Sequence, residues 1–320
     1  MRGLYFIADD RVLDLAIAFL NSVRDTNQTL PLCLIPYSNK IDELRGLAKL
    51  YRFTLFPRPD VLNWCDEVSR CVSGATLGQY RKLAMWEGVW DDFIYIDVDS
   101  VVLADLTPVF DLLRYYDIIT SHSDLPGLVR WVWKSSIWRS DELLPDQIAF
   151  SANTGFVGSK KQVLSIATMS QLLQDAMRLR RHMELRCAEQ PLLNYFIVKS
   201  GVRYTSLLSL ARCFERLHID HSLVSEQWAG TPGLVIENWG VKSATGRRVA
   251  VLHWAGKWQP TAIERVSFRI LRTLGRKTES RRIRARALMP YGQVWQRYRN
   301  ASPRTPEPGY VHSQGPEVVS

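Results

Sequence analysis

The sequence predicts an α/β protein: a doubly wound, mostly parallel sheet with flanking helices, followed by a basic C-terminal extension. Three observations carry that expectation. Short apolar runs rich in Ile, Val, Tyr and Phe alternate with stretches whose apolar residues recur at helical spacing, the rhythm of a sheet covered on both faces. Two of the runs end in carboxylates, Asp9-Asp10 and Asp97-Val98-Asp99, and ligands of open α/β sheets bind outside such strand ends. Charge is also segregated: eleven Arg and Lys lie between Arg265 and Arg299 against the single acid Glu279, in a chain of net charge +9.

The elements follow in order. Leu4 to Ala8 reads as a first strand ending at Asp9-Asp10. Val12 to Val23 is a helix, its apolar residues Val12, Leu15, Ala16, Phe19, Leu20 and Val23 forming one face. Leu30 to Ile35 is a second strand, Ile41 to Tyr51 a second helix, and Arg52 to Phe56 a third strand closed by Pro57 and Pro59. Tyr80 to Trp90 reads as a helix leading into a central buried strand, Phe93 to Val102. A helix and the strand Asp117 to Thr120 come next, then an excursion from His122 to Phe150 with no clear period. Within it, Trp131 and Trp133 fall on one side of an extended chain; with Trp138 they read as core or lid packing, or as aromatic faces suited to stacking on a sugar ring. Ser151 to Val157 returns as a strand and Val163 to Arg181 as a helix; 203–240 is irregular, and Val249 to Trp254 is the last strand.

At 320 residues, 46% hydrophobic and 11% aromatic, the chain has material for a substantial core. Its five cysteines form no C-x-x-C pair, which suggests reduced thiols in a cytosolic setting. The first residues lack a signal-peptide apolar core, and no run approaches the roughly 20 apolar residues of a membrane span. A cytoplasmic protein, soluble or peripheral on the inner face of a membrane, is therefore expected. The charge excess belongs to the C-terminal part, which argues against a nucleic-acid-binding core. Cationic, amphipathic stretches there, with Phe268, Ile270, Leu271, Leu274 and Trp295, suit an anionic membrane surface or a solvated end.

Asp is a poor strand former, so two at the end of an apolar run call for a reason. On an extended chain Asp97 and Asp99 share one side and can reach one hard cation such as Mn²⁺ or Mg²⁺, which would hold a diphosphate. Each residue also has a plainer use: the Asp pair in a solvated turn, His253 at a strand end, Lys82 on a helix surface, Asp9 as a helix cap, Glu189 beside a helix dipole.

Taken in order, these pieces resemble the family 8 glycosyltransferases. Tyr5-Phe6-Ile7-Ala8-Asp9-Asp10 is similar to the family's first strand, Arg81-Lys82-Leu83 to its basic donor contact, and Tyr95 to Leu106 to its metal-binding region. Asn153-Thr154-Gly155 resembles the Asn-x-Gly segment by the sugar, Glu189-Gln190 with Leu192-Leu193-Asn194 the segment beside the reacting carbon, and His253-Trp254-Ala255-Gly256 the closing metal motif. The departures are Glu189 for the usual Asp, and Gln259-Pro260-Thr261 where the family has Lys-Pro-Trp; Lys257 stands two residues early.

The resemblance implies a GT-A fold over residues 1–262, a basic helical extension over 263–300 and a disordered tail over 301–320. It implies a retaining hexosyltransferase using UDP-glucose or UDP-galactose, with a glycan, lipid-linked or protein acceptor. Asp97, Asp99 and His253 would hold the metal. Ala8, Asp9, Lys82, Asp97, Val98, Asn153, Gly155, Gly256 and Lys257 would bind the donor, and Glu189 and Gln190 would act at the sugar. A catalytically degenerate scaffold and a sugar nucleotidyltransferase are the rivals; the latter wants a Gly-rich basic loop where Asp9-Asp10-Arg11 stands.

Overall fold

The computed structural model describes residues 1–218, 226–229, 234–237, 240–243, 246–255 and 291–303. Its centre is a seven-stranded sheet. In chain order the first elements are β1 (Arg2–Ala8), α1 (Leu13–Thr26), β2 (Leu32–Pro36), α2 (Asp42–Tyr51), β3 (Phe53–Leu55), α3 (Pro59–Ser73) and β4 (Asp92–Ile96). Next come β5 (Ser100–Val102), α4 (Thr107–Leu112), β6 (Ile118–Thr120), α5 (Pro126–Val129), α6 (Pro145–Phe150), β7 (Phe156–Lys160) and α7 (Ile166–Arg178). The remainder are α8 (Gln190–Lys199), β8 (Tyr204–Ser206), α9 (Leu207–Arg216), β9 (Glu226–Ala229), β10 (Val235–Glu237), β11 (Gly240–Lys242), β12 (Val249–His253) and α10 (Gly292–Asn300).

The large sheet has the order β3-β2-β1-β4-β7-β6-β8, with β7 antiparallel to both neighbours and the other pairs parallel. Two smaller groups accompany it, β5-β12-β9 and the hairpin β10-β11. The fold class is the α/β sheet with flanking helices that the sequence predicts.

Why the sheet is buried on both faces is visible in the alternation of its strands. Leu4, Phe6 and Ala8 of β1, Leu32 and Leu34 of β2, and Ile94 and Ile96 of β4 join one core, with α1. Tyr5 and Ile7, Cys33 and Ile35, and Phe93 and Tyr95 face the other, with α3 and α8. Period-two alternation thus splits each apolar run between two cores.

Several expectations change. The run Phe93 to Val102 is two strands in different sheets, with Asp97 and Asp99 in the bend between them rather than on one extended face. Residues Gly78–Glu87 form a 3₁₀ stretch where a helix over Tyr80 to Trp90 was expected. The helix α3 was not expected, because Pro59 reads as a stop; it sits in the first helical turn, where its missing N–H costs nothing. The strand expected at Ser151 to Val157 is β7, beginning at Phe156, and the region thought irregular contains β8 and α9, the latter capped by Ser206 accepting from the Ser209 N–H at 3.1 Å.

Trp131 and Trp133 do not share a side: α5 and a turn precede Trp133, which is buried, while Trp131 and Trp138 are exposed. All five cysteines are free thiols.

At the C-terminal end, α10 packs on α1. Asn21 Nδ2 donates to the Tyr298 and Ala301 carbonyls at 2.8 and 3.1 Å, and Arg299 Nε donates to Asp14 Oδ1 at 2.6 Å. Trp295 is fully buried there, so it is unavailable to a membrane surface. The basic stretch from 263 to 290 and the tail from 304 lie outside the described residues. Among the described residues, no helix is long and apolar enough to cross a membrane.

Candidate active site

Strand registers bring the site together. β1 and β4 run parallel with Tyr5 opposite Tyr95, so Asp9 and Asp97 leave the sheet at the same edge. β7 runs antiparallel to β4 with Phe156 opposite Ile96, and the ladder continues one step as the Asp97 N–H donates to the Gly155 carbonyl at 2.9 Å. β12 lies antiparallel to β5 with His253 opposite Ser100, and the Trp254 N–H donates to the Asp99 carbonyl at 3.1 Å. Three chain segments therefore fix the two carboxylates and the imidazole.

The result is a compact ligand set. Asp97, Asp99 and His253 each present an atom within 4.8 Å of the others. His253 Nε2 stands 3.1 Å from Asp99 Oδ1 and 3.7 Å from Asp97 Oδ2. Burial opposes a charge on His253, but the nearby Asp99 and Asp97 carboxylates outweigh it and raise the imidazole pKa. That preference for a proton between three potential ligands is what a divalent cation would replace, and cation binding would release the proton.

Gly155 makes this geometry possible. A Cβ there would lie 2.2 Å from His253 Cε1 and 2.7 Å from Nδ1. Asn153 Oδ1 accepts the Gly155 N–H at 2.9 Å, fixing the turn that presents it.

Behind the ligand set is a buried ion cluster. Lys82 Nζ lies 2.9 Å from Asp97 Oδ1 and 2.7 Å from Glu189 Oε1. Burial works against the ammonium, yet the two carboxylates overcome it and raise the Lys82 pKa. Burial, opposed by Lys82, raises that of Glu189. Tyr95 Oη donates to Asp97 Oδ1 at 2.5 Å, and Thr154 Oγ1 donates to Glu189 Oε1 at 3.1 Å. Lys82 is thus no solvated surface residue. Its neighbour Arg81 is turned away, paired with Asp66 at 2.7 Å and donating to the Pro36 carbonyl at 2.9 Å.

Gln190 begins α8 and is held at both ends of its amide. Oε1 accepts from the Thr154 N–H at 3.3 Å, and Nε2 donates to the Trp131 carbonyl at 3.1 Å. Asn194, one turn on, clamps the backbone of Ala152 through its N–H and carbonyl at 2.7 and 2.9 Å. Asn153, Gly155, Glu189 and Gln190 therefore belong to one assembly with the ligand set.

Asp9 follows Ala8 at the end of β1 and is nearly fully buried. It caps the 3₁₀ turn after β1 through the Arg11 N–H at 3.1 Å, accepts from Ser38 Oγ at 2.8 Å and pairs with Arg11 Nη2 at 2.6 Å. Burial raises its pKa, but Arg11 and Ser38 prevail and lower it. The Arg11 guanidinium also lies over the Tyr37 ring, 5.1 Å from its centroid. Val98 is in the bend between the two carboxylates. Gly256 and Lys257 lie outside the described residues.

Sequence reasoning gave no role to the side chains of Tyr95, Thr154, Tyr37 and His122. The last is buried, carries a pKa pulled down to about 4 by burial and then by His253, and so sits neutral beside the ligand set. None has a spacing signal of its own; their roles come from neighbours distant in the chain.

No protein-family model matches the sequence, and no curated protein matches it. Among solved structures the chain is similar to the bifunctional glycosyltransferase WbbM in its apo form, with a TM-score of 0.53 and 16% identity over 81% of this chain and 46% of that one. This chain therefore spans about half the length of WbbM. The galactosyltransferase LgtC in complex with donor and acceptor sugar analogs gives a TM-score of 0.49 at 16% identity, covering 88% of this chain and 99% of that one. GlyE of Streptococcus pneumoniae TIGR4 gives 0.44 at 12% identity, covering 93% and 62%. At such identity the likeness to WbbM shows the fold: the mostly parallel sheet with flanking helices is of the GT-A glycosyltransferase type.

Proposed function

We propose that this chain is a metal-dependent, retaining glycosyltransferase that moves a hexose from UDP-glucose or UDP-galactose to a glycan, lipid-linked or protein acceptor. The observation that carries this reading is the convergence of Asp97, Asp99 and His253 at the sheet's carboxyl edge, against the Lys82–Glu189 pair. Two carboxylate oxygens and an imidazole nitrogen are a fitting donor set for Mn²⁺, or for Mg²⁺. A cation bound there would neutralise, as a Lewis acid, the charge that builds on the departing diphosphate.

The chain's own residues have separable roles in this reading. Lys82 pairs with Asp97 and Glu189, opposing the rise that burial imposes on the Glu189 pKa, and adds fixed positive charge near the phosphates. Asp9 and Ala8 border the base, and Val98 shapes the bend under the diphosphate. Asn153 and Gly155 leave room for the sugar, and Gln190, its amide already oriented, stands at the anomeric carbon with Glu189 beneath it. Gly256 and Lys257 would close over the phosphates. Retention of configuration rests on the sequence resemblance, as does the choice of UDP.

Calorimetric titration of UDP with and without Mn²⁺, followed by UDP-glucose and UDP-galactose hydrolysis assays, tests the reading. Mn²⁺-dependent UDP binding and slow hydrolysis of one donor are expected; no Mn²⁺-dependent UDP binding would sink it.

A further inference from the structure

Beside Gln190 lies an exposed aromatic that none of these roles uses. Trp131 is 46% exposed, and its carbonyl accepts the Gln190 amide. Its backbone is fixed, because the residues that follow are pinned to a second segment. The Glu184 N–H donates to the Val132 carbonyl at 3.0 Å and the Lys134 N–H to the His182 carbonyl at 2.7 Å, on either side of an antiparallel bridge between Trp133 and Met183. With Val132 and Trp133 buried as anchors, Trp131 presents its indole from an ordered platform.

Cations outnumber carboxylates on this platform, where Glu184 is already paired with Arg186 and also feels the charge of Lys134. The Arg130 guanidinium lies over the Trp131 ring, 5.1 Å from its centroid. Lys134 Nζ donates to the Arg181 carbonyl at 3.2 Å, and Arg181 Nε donates to His182 Nε2 at 2.9 Å. Among the described residues, none of these three cations has a carboxylate partner. Elsewhere exposed arginines do: Arg58 with Asp60 and Arg203 with Asp117. An indole face suits the apolar C–H face of a pyranose, and a guanidinium fork suits phosphate or carboxylate.

We propose that Trp131 and Arg130, with Lys134 and Arg181, form the acceptor subsite, and that it takes a pyranose carrying an anionic group, phosphate or carboxylate. The inference rests on the reading of Gln190 as standing at the transferred sugar. Direct contacts run from the ligand set to the platform, from Asp97 through Lys82, Glu189, Thr154 and Gln190 to Trp131. An acceptor stacked on Trp131 is thus placed next to the reacting centre rather than on a remote surface.

Saturation-transfer NMR on the full chain with UDP and Mg²⁺, using glucose, glucose 6-phosphate and glucuronate as probes, tests it. At least one charged sugar should bind about tenfold or more tightly than glucose, a difference of the size expected for one charge-assisted contact. Which of the two gains affinity identifies the anion. Arg130→Gln should erase that preference and Trp131→Ala should abolish binding of all three probes, while calorimetric UDP binding persists in both variants. Glucose binding as well as both charged sugars, no probe binding, or wild-type behaviour of Trp131→Ala would overturn the inference. Failure of the wild-type chain to bind UDP would instead sink the donor-site reading, leaving the sugar comparison to stand by itself.

Discussion

At the residue scale, Asp97 and Asp99 are close to each other and to His253, and little else in the described site takes their place as oxygen ligands. Asp97→Asn and Asp99→Asn should each abolish Mn²⁺-dependent UDP binding in calorimetry, with the thermal midpoint little changed for Asp99→Asn and lowered for Asp97→Asn, which also takes a carboxylate from buried Lys82; full binding by either variant would leave the pair as a turn. Gly155→Ala puts a methyl where the His253 ring stands, 2.2 Å from Cε1. It should weaken Mn²⁺-dependent UDP binding by about tenfold or more, the range seen when the support of a metal ligand is disturbed. Lys82→Met is a stability test: it strands the buried Glu189 and the half-buried Asp97 without their cation. Removing one partner of a buried pair costs about 3–5 kcal/mol, to be read from denaturant unfolding. These residues differ in how well the sequence exposed them. Asp97, Asp99 and His253 stood out because charged residues end apolar runs. The triangle of Lys82, Asp97 and Glu189 did not, because it joins the 3₁₀ stretch, the end of β4 and the start of α8, and only tertiary packing makes them neighbours.

At the element scale, the legible parts were those with long, clean periodicity: β1, α1, β2, α2 and β12. The misread parts turn on local events that override pattern. A Pro that reads as a stop opens α3. The bend at Asp97–Asp99 ends β4 and sends β5 to another sheet, although the run looks continuous in apolar character. One tie between elements is testable by pH. Asp117, just before β6, accepts from the Arg203 side chain at 3.0 Å and from Lys160 of β7 at 2.8 Å. Hydrogen bonding from Arg203, then Lys160, holds its carboxyl below the usual range despite burial. A depressed carboxylate stabilises the fold above its unfolded-state pKa of about 3.9, and that contribution is lost as pH falls from there towards the folded value. Asp117→Asn should therefore lower stability by about 1–2 kcal/mol at neutral pH, a figure reduced for the exposed Arg203. It should also flatten the acid limb of the stability profile below about pH 4; an unchanged limb would show that the tie contributes nothing.

At the scale of the whole molecule, the α/β class and the ends at which ligands gather were readable, since they follow from strand burial and strand-end carboxylates. The return of α10 onto α1 was not, because its last turn is basic and its buried anchors, Val294, Trp295 and Tyr298, look like any exposed residues until their partners are known. The division of the strands between a large sheet and the β5-β12-β9 sheet has a mechanical consequence. Asp97 follows a strand of the first, while Asp99 precedes one strand of the second and His253 ends another. A cation gripping all three would rivet the two sheets together, converting binding energy into resistance to local opening along their seam. Amide hydrogen exchange should therefore slow on adding Mn²⁺ and UDP most in β5 and β12, with the distant edge at β3 unchanged; equal slowing everywhere would mean that the rivet is missing and the two sheets already open and close as one.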